Sequence, residues 1–208
     1  MRAQLNLLLI DALLKAYNAP RVSELLRRLR ELREEVTVTI VVGDNEASKL
    51  MKDVIASISS LSGKITVWEK EGTSFKYAPP EVAIGGGLGN RLVYHGLMDG
   101  ILLCPFIESI LYAGRVLEPP ALEEEPGSHH LVLFVVPGRP CLETLRTLIP
   151  LVAAATSLRL DVVDAREYER RGGRLPSPYV PALLVDDRLA RIGSVKSIGE
   201  ALRVIEAG

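Results

Sequence analysis

The sequence predicts an α/β protein built from two tandem copies of one small unit, each a central mixed β-sheet flanked by helices, preceded by N-terminal helices. Three observations carry this. Runs of β-branched and aliphatic residues alternate with segments whose apolar residues recur at helical spacing. The order strand, helix, strand, proline-bearing loop, strand, strand, helix occurs twice within 208 residues. Each copy also sets a proline directly before its third strand, Pro80 in "APPEVAI" and Pro181 in "YVPALLV". A proline has no N–H to give a ladder, so it belongs where a strand begins, and a cis peptide fits there.

The elements follow in order. Leu5, Leu8, Leu9 and Leu13 mark an apolar helix over residues 1–20. Val22, Leu25, Leu26, Leu29 and Leu32 mark another after Pro20, opening a first unit over 21–114. "EVTVTIVVGD" is β-branched and stops at Gly43, the signature of a buried strand. A helix from Ala47 to Ile58 ends at Ser62-Gly63, and "KITVWEK" is the second strand. Val82–Ile84 and Leu92–Tyr94 form a hairpin around "GGGLGN", and a helix from Gly100 to Tyr112 closes the unit. Residues 115–130, rich in Pro, Gly and Glu, read as a linker. The second unit, 131–208, has a strand Leu131–Val136, a helix Leu142–Ser157 and a strand Leu158–Val163. After a charged loop come a strand pair turning at Asp186-Asp187 and a last helix from Ser197.

Composition narrows the function classes. A net charge of −1 with 25% charged residues leaves no basic surplus for nucleic acid, which needs clustered Lys and Arg. No stretch reaches the ~20 apolar residues that span a bilayer. Asp11 interrupts the apolar opening, against a signal peptide. Two cysteines, Cys104 and Cys141, make neither a disulfide framework nor a cysteine-only metal site, so a cytoplasmic protein without a bound metal or cofactor is expected. One Gln and four Asn among 208 residues suit a thermophilic source. The leucine stripe of the first helix should be covered, by its own sheet or by a second copy in a homodimer.

The twice-repeated order, with "VVDAREYERRGGRLPSPYVPALLV" followed by "ARIGSVKSIGEALRVI" and with "VYHGLMDGILLCPFIESIL" before it, resembles the archaeal protein disulfide oxidoreductases, which pair two thioredoxin- or glutaredoxin-like units. The resemblance covers residues 21–208. It implies a Cys-x-x-Cys pair at the start of the first helix of each unit, facing the cis-proline. A helix N-terminus stabilises a thiolate there, and the second cysteine resolves the mixed disulfide.

This chain departs from that pattern. In "VVGDNEASKLMKDV" the pair would fall on Asp44–Ala47 or Asn45–Ser48, and neither window holds a cysteine. The second unit keeps only Cys141, in one of two registers. Gly138-Arg139-Pro140-Cys141 makes it the buried resolving position; Cys141-Leu142-Glu143-Thr144 makes it a monothiol nucleophile. The resemblance implies Cys141 as the catalytic candidate and Pro181, Val180 and Arg139 as the substrate-binding ones. Two readings stand. One is a degenerate, non-catalytic binding or assembly scaffold. The other is a monothiol thiol-disulfide oxidoreductase acting on protein or peptide thiols, or on glutathione.

Two further motifs carry a bland reading. "GGGLGN" fails the phosphate-loop spacing and precedes a strand, so it is a turn. His129-His130 fall in the linker and read as solvated rather than as metal ligands.

Overall fold

The computed structural model describes residues 20–208, and the expectations for the N-terminal helix and its homodimer lie outside the described residues. The elements are α1 (Pro20–Arg28), β1 (Val36–Val42), α2 (Glu46–Ser59), β2 (Ile65–Glu71), β3 (Glu81–Ile84), β4 (Leu92–His95) and α3 (Leu103–Ala113). They continue with β5 (His129–Val135), α4 (Arg139–Ala154), β6 (Leu158–Asp164), α5 (Ala165–Arg170), β7 (Ala182–Val185), β8 (Arg188–Ile192) and α6 (Ile198–Ala207).

The strands lie in the order β2-β1-β3-β4-β6-β5-β7-β8. The first four repeat as the second four, β1 corresponding to β5 and β2 to β6. Both predicted prolines are cis, Pro79-Pro80 and Val180-Pro181, each just before the third strand of its half. The two sheets are not separate, however. β4 pairs in parallel with β6, from Leu92↔Leu160 to His95↔Val163, and fuses them into one eight-stranded sheet.

Alternation sets which face is core. Val38, Ile40, Val82, Ile84, Tyr94, Leu131, Leu133, Leu160 and Val162 share one cluster with the apolar stripes of α1, α2, α3, α4 and α6. The Tyr94 hydroxyl, buried there, meets Ser109 Oγ at 2.5 Å, and Ser109 donates to the Pro105 carbonyl at 2.8 Å. Burial raises the Tyr94 phenol well above its ordinary value, so it stays neutral. On the opposite face Val132, Phe134, Val163 and Ala182 form a smaller cluster under Tyr77 and Tyr168.

Polar clamps cross the seam between the halves. Arg91, before β4, donates to the carbonyls of Val152, Ala155 and Leu158 around the end of α4. Arg166 of α5 joins Asp99 and Asp164, each at 2.8 Å. His95 of β4 lies between Glu81 and Asp161, 3.8 and 3.7 Å away, and neither ring nitrogen is in hydrogen-bond range of a partner among the described residues. Asp161 also meets His130 at 2.9 Å and Arg159 at 3.4 Å.

Burial alone would raise the Asp161 carboxyl, but His95, Arg159 and His130 more than offset it and hold it at about 2. A carboxylate whose folded value lies below its unfolded value of ~3.9 stabilises the fold above pH ~4, and that stability is lost as pH falls through ~2. Asp161→Asn is therefore expected to cost about 2 kcal/mol at pH 7 in urea unfolding. The gap to wild type should close between pH ~4 and ~2; a gap independent of pH would refute the linkage.

Three local expectations are corrected. The helix predicted over Leu142–Ser157 is α4, which begins at Arg139 because Gly138 in extended conformation and Pro140 in the first turn start it early, and ends at Ala154. His129 and His130 are not solvated linker: they open β5, and Asp186 on the β7–β8 turn binds His129 Nδ1 at 2.7 Å and the His130 amide at 2.9 Å. The linker itself is pinned by Glu125, which accepts from the Thr156 amide and hydroxyl and from the Ser157 amide. The charged loop after β6 contains a helical turn and a half, α5, capped by Asp164.

Candidate functional site

Each half leads a strand of seven residues into a helix N-terminus. β1 ends at Val42 and α2 is capped by Asn45; β5 ends at Val135 and α4 is capped by Gly138. The spacing is the same, so Asn45–Ser48 and Gly138–Cys141 are equivalent windows. Of the two registers, the equivalence matches Gly138–Cys141, with Gly138 first and Cys141 last in the window.

The two windows share one internal contact. Ser48 Oγ accepts the Gly43 amide at 3.0 Å. At the matching place in the second window stands Val136, whose backbone N–H favours the Cys141 thiolate. Ser48 and Cys141 are 1% and 2% exposed. A buried acceptor is needed there to satisfy the amide leaving the strand, and serine meets that need as well as cysteine. Burial raises the Cys141 thiol above its ordinary range, and the Val136 amide only partly counters this.

Arg139 is largely exposed and turned to Glu143 at 2.9 Å, so its charge is compensated. Thr144, the far end of the monothiol register, is buried; it donates to the Pro140 carbonyl at 3.0 Å and accepts the Val195 amide at 3.1 Å. Pro181 is buried and its carbonyl accepts the Gly193 amide at 2.8 Å. Val180 is half-buried, and its own N–H and C=O make no hydrogen bond among the described residues. Cys104 lies buried in α3, and no disulfide joins it to Cys141.

The first half is closed differently. Pro79, which precedes the cis-proline, has no N–H, and its carbonyl accepts from Asn45 Nδ2 at 3.2 Å. The backbone edge that Val180 keeps open is therefore spent in the first half. Beside it a cavity of about 430 Å³ is lined by Asp44, Asn45, Phe75 and Pro79, with Arg171 of the second half over the Phe75 ring at 5.6 Å. Reading the two windows against each other in sequence would have paired Ser48 with Cys141. The Asn45–Pro79 and Arg171–Phe75 contacts had no such signal, because their partners are far apart in the chain.

No protein-family model and no curated protein matches the chain. Solved structures do resemble it in fold. The AhpF component of the alkylhydroperoxide reductase of Enterococcus faecalis superposes with a TM-score of 0.74 at 17% identity, over 88% of this chain and 96% of that one. A protein disulfide oxidoreductase of Aeropyrum pernix gives 0.69 at 16% identity, over 88% and 90%. Sso1120 of Sulfolobus solfataricus gives 0.57 at 20%, over 80% and 94%. The architecture is that of tandem thioredoxin-like units, and at these identities the likeness is one of fold.

Proposed function

We propose that this chain is a non-catalytic binding or assembly scaffold on a tandem thioredoxin-like fold, holding an extended protein or peptide segment, or glutathione, against the open Val180–Pro181 edge. The observation that carries the reading is Gly138 at the helix cap where an attacking thiol must stand, with Cys141 buried behind it. Thiol exchange needs an accessible thiolate, and a buried thiol whose pKa is raised supplies little. Cytoplasmic location belongs to the same proposal, since a chain with two cysteines that form no disulfide suits a reducing compartment.

Alkylation followed by peptide mass analysis tests this. Cys141 is expected to react slowly at both pH 6 and pH 8 until the protein unfolds. Insulin reduction with dithiothreitol should stay at background and be unchanged in Cys141→Ser. Fast alkylation near pH 6, with turnover that disappears in Cys141→Ser, would replace this reading by the monothiol oxidoreductase.

A further inference from the structure

β8 is the last strand of the eight-stranded sheet, so among the described residues one side of its backbone has no strand beside it. It runs next to α6, and between them lies a groove of about 490 Å³. Arg188 and Arg191 of β8 and Arg203 of α6 line it, against one acidic side chain, Glu200. Glu200 is already committed: it pairs with Arg191 at 3.1 Å and accepts the Lys196 amide at 2.9 Å. Arg188 and Arg203 make no ion pair among the described residues. A bulge at Ala190 sets Leu189 and Ile192, opposite Leu184 and Ala182, on the strand's other face, 44% and 46% exposed. Among the described residues, one edge thus offers unpaired backbone, two uncompensated guanidinium groups on one face and two apolar side chains on the other.

We propose that β8 is a docking edge for an acidic extended peptide segment of a partner protein, added as a ninth strand. Side chains alternate along such a strand. A segment of alternating acidic and aliphatic residues sets its carboxylates toward Arg188 and Arg203 and its aliphatic groups over Leu189 and Ile192. Main-chain hydrogen bonds supply the affinity and the alternation supplies the selectivity. Nucleic acid satisfies the arginines but neither the backbone edge nor the apolar pair. The edge belongs to the end of the sheet beyond β7, so the proposal stands independently of Cys141 and the Val180 edge.

The test is fluorescence anisotropy with a labelled eight-residue peptide alternating Glu and Val. A scrambled peptide of the same composition and a single-stranded thymidine oligonucleotide serve as comparisons. The alternating peptide is expected to bind in the micromolar range, about tenfold more tightly than the scrambled one, and more weakly as salt rises. Arg188→Glu with Arg203→Glu should weaken it by about tenfold or more. Hydrogen exchange on the wild-type protein reads the strand directly: added peptide should slow exchange of β8 amides and not of α6 amides. The proposal is overturned by absence of saturable binding, by tighter binding of the oligonucleotide, or by binding that leaves β8 exchange unchanged. It is likewise overturned if a charge-reversed protein with unaltered thermal unfolding binds as well as wild type.

Discussion

Gly138→Cys is expected to turn the second half into a working dithiol site. Gly138 caps α4 with φ −177°, extended backbone that any L-residue adopts. A Cβ added there meets Pro140 Cδ and the Val136 carbonyl oxygen no closer than 3.9 Å. The new sulfur would sit three residues before Cys141 across one helical turn, within the span a disulfide bridges. Its environment differs from that of Cys141: it lies at the helix terminus, where free N–H groups favour thiolate. A disulfide between position 138 and Cys141 should form in oxidised glutathione. Insulin reduction should rise by on the order of 100-fold over wild type, because an attacking thiol now joins the resolving one and completes the cycle. Gly138→Ser should stay at background. Gly138→Cys combined with Cys141→Ser should trap mixed disulfides without turnover. Failure of the doubly thiol-bearing site to oxidise would show that the window is not the equivalent of a Cys-x-x-Cys pair, and the equivalence of Gly138 and Asn45 would fall with it.

The repeat is legible because it rests on local periodicity. The β-branched and aliphatic runs "TVTIVV" and "HLVLFVV", helical spacing from Ala47 to Ile58, and the prolines at 80 and 181 each declare themselves within a few residues. The start of α4 is harder to read. The helical stripe begins at Leu142, while the helix itself begins three residues earlier at Arg139, carried by the fixed φ of Pro140. That shift moves Cys141 from the cap into the first turn. The fusion of the two sheets lies beyond local reading. "RLVYHG" and "LRLDVVD" are ordinary strands, and nothing in either says that it pairs with the other. His95 and Asp161 meet across this seam, as does Arg91 with α4, through contacts between residues more than 60 positions apart.

That seam is where a single substitution should do the most harm. Arg91 stands in the first half, and its guanidinium closes three carbonyls of the second: Val152, Ala155 at 2.6 Å and Leu158 at 3.3 Å. The last carbonyls of a helix have no partner within the helix, and here a distant cation supplies one. The backbone beside it is tied to the same place, for the Leu160 amide donates to the Arg91 carbonyl at 2.8 Å. Arg91→Ala removes a charged donor shared by three acceptors and leaves those acceptors partly shielded from water. The expected cost is about 3 kcal/mol. For a domain of this size that corresponds to a fall in Tm of about 10 °C. Arg91→Lys should recover part of it, since all three carbonyls converge on the one nitrogen Nη1 and an ammonium brings three N–H donors to such a point on a shorter side chain. Hydrogen exchange should quicken first along β4 and β6, and trypsin should begin to cut after Arg115 as the halves separate. Thermal unfolding of Arg91→Ala within about 1 °C of wild type would mean that the β4–β6 ladder and the shared core hold the halves together unaided. The clamp would then be an ornament of the fold rather than one of its fastenings.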